Sequence, residues 1–321
     1  MTMKALLVGL GSAGFSWYKR LRDKGLLAAV VETDASMKEK MGDDHFPFYT
    51  SLAEALEKEQ LDFVVNVTSP MAHTIVNNAA FDRKLPVLCE KPISFDYEES
   101  IEVVKRAVKE NIPFMIAENY RRNAAVRKLK QLLDAGAIGR ISAIDIAFYR
   151  YHHVQRKYTV SLLDDIGVHH FDMIRYFTGV EGKTVYADMY NPIGGWDEEG
   201  AIINTNALLE MEGGIKVSYN ASIASRGNQT PWHGNWRIEG TEGTIQYENQ
   251  VIRVIKDGVE EQISDYSGVD TSDTLAEFLA SLKEQRDSET CGADYLKTQV
   301  LVHYAKLANA EGRKLEIKYP N

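Results

Sequence analysis

Ala5-Leu-Leu-Val-Gly-Leu-Gly-Ser-Ala-Gly14 decides the fold: an apolar run passes at once into Gly9-x-Gly11-x-x-Gly14. A strand that ends on this spacing and hands over to a helix opens a dinucleotide-binding βαβ unit. The first glycine permits a tight turn, the second lets backbone approach a pyrophosphate, and the third lets helix and strand pack closely. The helix start, with Ser12 and Ala13 in its first turn, would then present unpaired N–H groups to the phosphates. Glycines alone can simply build a turn, so a second signal matters. Glu32 ends the next apolar run, near the offset of about 20 residues at which a carboxylate accepts the ribose hydroxyls. The residue after it is Thr33 rather than arginine. No cation is therefore expected for a 2′-phosphate, and the pattern predicts NAD over NADP.

Outward from that stretch, short apolar runs at 5–8, 27–31, 63–67, 87–89 and 114–117 alternate with amphipathic segments at 51–59, 73–83 and 97–111. Such alternation predicts an α/β fold, a doubly wound parallel sheet covered on both faces. Beyond residue 119 the texture changes. Helices are expected at 124–135 and 162–177, strands at 141–149, 183–190, 201–210, 215–221, 235–239, 244–247 and 251–255, and closing helices at 274–285 and 295–310. Glu212-Gly-Gly214 and Lys256-Asp-Gly258 read as hairpin turns. The expected division is a Rossmann domain over 1–119 and an α+β domain over 120–321, built on a large, mostly antiparallel open sheet.

Bulk properties narrow the function. A net charge of −9 over 321 residues argues against nucleic acid or an anionic membrane as partner. The basic run from Arg121-Arg122 to Lys130 fits one solvated helix face. Two cysteines, Cys89 and Cys291, suggest neither a disulfide framework nor a metal cluster. A first strand starting near Lys4 leaves no room for a leader peptide, and no apolar stretch has membrane-spanning length. A cytoplasmic protein is expected.

The chemistry-bearing residues fall in three places. Lys91, in Pro86-Val-Leu-Cys-Glu-Lys-Pro-Ile93, puts an ammonium at the end of a short apolar strand; that is poor packing chemistry but suits a group that holds a reacting oxygen. Asn66-Val-Thr-Ser-Pro70 and His73 follow the third strand, where Thr68, Ser69 and His73 could line the cofactor crevice, although His73 could equally be a helix-start residue. The third place is Leu163 to Asp172, read as a helix with Asp165, His169, Asp172 and Tyr176 on one face and Leu162, Ile166, Met173 and Phe177 on another. A polar stripe is normally solvated surface, yet an aspartate four residues from a histidine can orient it for proton transfer. Adjacent His169 and His170 diverge in direction on a helix, so no metal site is expected. Ser69 and Ser161 lack the context of a nucleophile.

Together, the opening glycine motif, Glu90-Lys91-Pro92 and Asp165-x-Gly167-x-His169-x-x-Asp172 resemble the Gfo/Idh/MocA oxidoreductases, the family of glucose-fructose oxidoreductase and inositol dehydrogenase. Ala135-Gly-Ala-Ile-Gly-Arg-Ile141 and Trp236-Arg-Ile-Glu-Gly-Thr-Glu-Gly-Thr244 extend the resemblance over most of the chain. It implies hydride transfer between a nicotinamide and a carbon bearing a hydroxyl or carbonyl, usually on a sugar or polyol, in a homodimer or homotetramer. It further implies that Lys91 bonds the reacting oxygen and the nicotinamide ribose, that Asp165 helps bind substrate and that His169 exchanges the hydroxyl proton. The expected cofactor set is Gly9, Gly11, Ser12, Ala13, Gly14, Glu32, Thr68, Ser69, His73, Glu90, Lys91 and Asn119. Expected substrate contacts are Lys91, Tyr151, Asp165 and His169.

One departure is Tyr158-Thr-Val-Ser-Leu162, where many members carry glycines. It bears on the substrate more than on the chemistry. The run Tyr149-Arg-Tyr-His-His153 to Arg156-Lys-Tyr158 could recognise hydroxyls or a carboxylate, and Trp232, His233 and Trp236 could stack on sugar faces or fill core. Two other functions stay open: a non-catalytic NAD sensor, and a redox-neutral glycosidase or transferase that uses NAD transiently.

Overall fold

The computed structural model describes residues 3–153 and 160–320. Its elements run in chain order as β1 (Ala5–Val8), α1 (Ser12–Asp23), β2 (Leu27–Val31), β3 (Phe48–Tyr49), α2 (Leu52–Lys58), β4 (Phe63–Asn66), α3 (His73–Asp82), β5 (Val87–Cys89), α4 (Tyr97–Lys109) and β6 (Phe114–Ile116). There follow α5 (Ala124–Asp134), β7 (Ile141–Tyr149), α6 (Val168–Thr178), β8 (Gly182–Tyr190), β9 (Asn204–Met211), β10 (Lys216–Ser222), β11 (Asn235–Gly240), β12 (Thr244–Glu248), β13 (Val251–Lys256) and β14 (Val259–Ile263). The last are α7 (Thr274–Glu284), α8 (Gly292–Glu311) and β15 (Leu315–Glu316).

The chain divides into two units, Met1–Glu118 with Asp273–Leu296, and Asn119–Ser272 with Lys297–Asn321. The sequence suggests one crossing at residue 119; instead the segment that carries α7 returns to the first unit. Phe278 explains the return, since it is 1 % exposed and meets Phe63 of β4 edge-on at 5.5 Å between ring centroids.

In the first unit six parallel strands take the order β3-β2-β1-β4-β5-β6. Every residue of β1, β4, β5 and β6 is buried, which is why these strands read as continuous apolar runs rather than as alternation. Each fully buried Val, Leu or Phe contributes about 1.5–3 kcal/mol. The strand order reverses between β1 and β4, so ligands belong at the carboxyl ends of those two strands. Strand β3 escapes a sequence reading because two half-buried residues carry no periodicity.

The second unit is a nine-stranded sheet in the order β14-β13-β12-β11-β7-β10-β9-β8-β15, antiparallel except for the parallel pair β7 and β10. Both expected hairpins form. Asp257 and Gly258 each take positive φ in the two-residue turn from β13 to β14, the geometry whose twist matches the flanking strands. Helix α6 covers one face, with Phe177 edge-on to Trp236 of β11 and Phe171 edge-on to Tyr219 of β10. Trp236 is 1 % exposed and is therefore core. On the other face, cross-strand neighbours Tyr186 and Leu208 stay exposed.

Candidate active site

The glycine loop behaves as its spacing requires. Gly9 has φ +101°, and a Cβ there would lie 2.7 Å from the Val67 carbonyl oxygen; one on Gly14 would lie 2.3 Å from that of Gly9. A Cβ on Gly11 would meet nothing within 4 Å. Two glycines thus serve packing and one faces open space, as an approaching pyrophosphate requires. Gly11 caps α1 without a side-chain hydrogen bond, and the first turn holds no acidic residue. With Gly11, Ser12 and Ala13 exposed, the N–H groups at this helix start suit phosphate.

Glu32 lies at the end of β2, where one carboxylate oxygen accepts a 2.8 Å hydrogen bond from Leu10 N–H in the glycine loop. The other accepts from Asp34 N–H and the Thr33 hydroxyl, each at 3.2 Å. The carboxylate is thus tied to the glycine loop on one side and to the segment after β2 on the other. Contrary to the sequence expectation, a cation does reach this region: Lys40 Nζ lies 3.2 Å from the Leu10 carbonyl oxygen. Reading only the residue after Glu32 could not find it.

Lys91 follows β5, half-buried, with a cis peptide bond to Pro92. Its neighbours are anchored on both sides. Glu90 N–H donates to Asn66 O at 2.8 Å, and Trp17 Nε1–H of α1 donates to Glu90 Oε1 at 2.8 Å. Glu90, expected to face cofactor, therefore spends one carboxylate oxygen on α1. On the other side His73 Nδ1 is 2.7 Å from Pro92 O, while its Nε2 is 3.1 Å from Thr68 O.

His73 is 0 % exposed, its ring lying between the carbonyls of Pro92 and Thr68, which corrects the expectation that it lines the crevice. Burial pushes its pKa down to about 4, against the pull of the two carbonyls and with the Lys91 charge acting in the same sense as burial. A neutral imidazole has one donor. Only one of the two carbonyl contacts can therefore be a hydrogen bond at a time. Thr68 itself donates through its hydroxyl to Asn66 Oδ1 at 2.8 Å, and exposed Ser69 starts a short 3₁₀ turn.

In the second unit Asp165 lies in a π-helical turn, Leu163–Gly167, that precedes α6. The sequence spacing implies one continuous α-helix, and the π turn is a departure from it. Ser161 starts the turn, its hydroxyl accepting from Asp164 N–H at 3.1 Å and donating to Asp164 Oδ2 at 2.7 Å. Gly167 makes room for a neighbour, since a Cβ there would lie 3.1 Å from the Tyr219 hydroxyl. That hydroxyl bonds His170 Nδ1 at 2.9 Å, and His170 Nε2 bonds Trp232 O at 2.9 Å. His170 is thus a core residue that carries the Trp232 segment.

His169, 5 % exposed, stacks on Tyr120 with ring centroids 4.1 Å apart and planes 10° from parallel; His233 meets the same tyrosine at 4.6 Å. Tyr120 carries no signal in sequence, yet Arg121 beside it fixes its place. Arg121 makes two hydrogen bonds to Asp172, at 2.6 and 2.7 Å, and Thr298 donates to the same carboxylate at 2.8 Å. Asp172 is 0 % exposed and Arg121 6 %. The spacing puts Arg121 and Arg122 on a solvated helix face; both are buried instead, as is Asp172, and Arg122 pairs with Asp270 at 3.1 Å. The reason is mutual, since a buried charge persists only with a bonded partner.

Asn119 is exposed and precedes the short turn that holds Tyr120; it groups with the second unit rather than with the cofactor fold. Tyr151 is 56 % exposed and forms a lone bridge with Ala224. Arg150 lies over the Trp232 ring at 4.3 Å, and His152 meets that ring edge-on. Arg156, Lys157, Tyr158 and Thr159 lie outside the described residues. Among the described residues no cluster of His, Cys, Asp or Glu could hold a metal ion, and no helix is long and apolar enough to cross a membrane.

A six-stranded parallel sheet, a glycine loop open only at its second glycine and a carboxylate at the end of β2 define a dinucleotide-binding protein of the Rossmann class. Residues 3–118 match the sequence model of an oxidoreductase family with an NAD-binding Rossmann fold, and 126–246 match that of the GFO/IDH/MocA C-terminal domain. The chain belongs to the GFO/IDH/MocA family. It is 25 % identical to a D-apiose dehydrogenase of Rhizobium rhizogenes, over 98 % of this chain and 97 % of that one. An inositol 2-dehydrogenase of Corynebacterium glutamicum is 24 % identical over 69 % and 67 %. Among solved structures, an oxidoreductase from Agrobacterium radiobacter in complex with NAD+, L-tartaric acid and magnesium has the same fold, with a TM-score of 0.88, 22 % identity and 98 % of each chain covered.

Proposed function

We propose that this chain catalyses reversible hydride transfer between NAD and a secondary alcohol or carbonyl of a sugar or polyol. The observation that carries the reading is the presentation of Lys91: a lysine at the end of a buried strand, its neighbours bonded on one side to the cofactor-loop helix and on the other to His73. When bound, NAD supplies the hydride acceptor. Lys91 hydrogen-bonds the substrate oxygen and polarises it; His169 takes the hydroxyl proton, and Asp165 binds a neighbouring hydroxyl. Stacking on Tyr120 keeps the His169 ring in one plane, as directed proton transfer requires. Tyr151 adds an exposed contact for substrate. The names of the dehydrogenase relatives support a polyhydroxylated substrate.

The glycine loop and Glu32 support NAD as the preferred cofactor. Two free cysteines, Cys89 buried and Cys291 half-buried, suit a reducing cytoplasmic setting. Exposed Tyr186 and Leu208 on the uncovered sheet face support a homodimer or homotetramer. The function is tested by offering sugars, polyols and keto-sugars with NAD+ or NADH and following the NADH absorbance band. Turnover of at least one carbohydrate is expected; a flat trace across the panel with NADH demonstrably bound would favour a sensor instead.

A further inference from the structure

We propose that Lys40 is a second cofactor-selecting residue, which with Glu32 decides between NAD and NADP. The two side chains engage opposite polar atoms of one residue. Glu32 accepts from Leu10 N–H at 2.8 Å, and Lys40 Nζ donates to Leu10 O at 3.2 Å. Leu10 lies between Gly9 and Gly11, inside the loop that meets the cofactor. The ribose end of a dinucleotide therefore encounters a carboxylate and an ammonium together.

The placement of Lys40 is built rather than accidental. Its segment is a short 3₁₀ helix, Ala35–Met41, started by Asp34, whose carboxylate accepts from Ser36 N–H at 3.0 Å. The segment ends on Met41, which is 4 % exposed and packs in the same core cluster as Leu10. Gly42 then turns the chain with φ +59°. Asp34 N–H also donates to Glu32 at 3.2 Å, so the residue that starts the helix carrying Lys40 is itself tied to Glu32.

The chemistry divides between the two. A carboxylate accepts hydrogen bonds from two ribose hydroxyls and repels a 2′-phosphate. An ammonium three donors wide does the reverse, accepting a phosphate as a compact point charge. With Glu32 intact the carboxylate dominates and NAD is preferred. Lys40 holds a latent capacity for the 2′-phosphate, which appears when the carboxylate loses its charge.

The test uses the full-length protein and fluorescence titration with NADH and NADPH, so it needs no substrate. Glu32→Gln keeps an oxygen to accept from Leu10 N–H and removes the charge. NADPH should bind this variant about tenfold more tightly than wild type, and Lys40→Ala added to it should cancel that gain, the scale of one charge-assisted hydrogen bond. Lys38→Ala, an exposed lysine of the same short helix, should leave NADPH affinity in the Glu32→Gln background within about twofold. Equal NADPH affinity in Glu32→Gln and Glu32→Gln/Lys40→Ala would overturn the proposal, as would an equal loss from Lys38→Ala. Lys40→Ala alone provides a second check: with Glu32 still charged it should leave the affinities for NADH and NADPH each within about twofold of wild type. Loss of both cofactors together would make Lys40 a general cofactor contact rather than a selector. NADH binding that persists while the NADPH prediction fails would sink the selector and leave the NAD reading intact.

Discussion

Two helix starts carry the proposed chemistry, and they are built on opposite principles. At the start of α1 the working surface is backbone: an absent Cβ at Gly11, uncapped N–H groups and a loop closed by contacts that only glycine allows at positions 9 and 14. At the start of α6 it is side chain: His169 stacked on Tyr120, with Arg121, Asp172 and Thr298 buried behind it. Backbone sites write themselves into sequence, because glycine recurring at a fixed spacing marks backbone that must stay bare. Side-chain sites do not, since Asp172 finds its partners 51 residues upstream and 126 downstream.

The largest expected effect breaks the side-chain start. Asp172→Asn leaves the Arg121 guanidinium buried without its carboxylate and should cost about 3–5 kcal/mol in denaturant unfolding. A loss below about 1 kcal/mol would mean that water or a neighbour replaces the pair.

Next comes a titration in the first unit. His73 has its pKa lowered by burial to about 4 from an ordinary 6.5, so below pH 6.5 the unfolded chain binds a proton that the folded chain refuses. The stability His73 contributes is present above pH 6.5 and falls as pH drops toward 4. His73→Gln should abolish that slope, a difference on the order of 3 kcal/mol at full extent. Stability profiles that run parallel for the two proteins from about pH 7 to about pH 4 would contradict it.

The backbone start separates affinity from stability. Gly11→Ala should weaken NADH binding about tenfold, or about 1.4 kcal/mol, with little change in unfolding. Gly14→Ala should lower stability, because its Cβ would meet the Gly9 carbonyl. Equal behaviour of the two variants would erase the distinction between packing glycine and cofactor glycine. The smallest effect is Trp17→Phe, which keeps the ring, removes the N–H donated to Glu90 and should cost about 1 kcal/mol by thermal unfolding; an unchanged midpoint would show that Glu90 needs no anchor.

Much of the fold is legible in the chain. The parallel sheet announces itself because strands buried on both faces are continuous apolar runs, and the antiparallel sheet because its strands alternate. What escapes is short or distant. β3 and β15 have two residues each, and exposed β14 lacks an apolar face. The return of Asp273–Leu296 to the first unit rests on packing such as Phe278 on Phe63, and no local pattern encodes it. In the candidate site, Gly9, Gly11, Gly14 and Glu32 can be read from spacing alone. Lys40, Trp17 and Tyr120 cannot, because each is ordinary in sequence and acquires meaning from a partner: Leu10, Glu90 and His169. His73 is visible but ambiguous, and only its burial between two carbonyls resolves it.

The most direct test of the catalytic account is Lys91→Ala, assayed with the carbohydrate that wild type oxidises fastest and titrated with NADH. If Lys91 holds the reacting oxygen, kcat falls by at least about a hundredfold while the NADH dissociation constant changes by less than about threefold. Near-wild-type turnover would remove Lys91 from the mechanism, and matched losses of turnover and NADH affinity would make it a cofactor ligand instead.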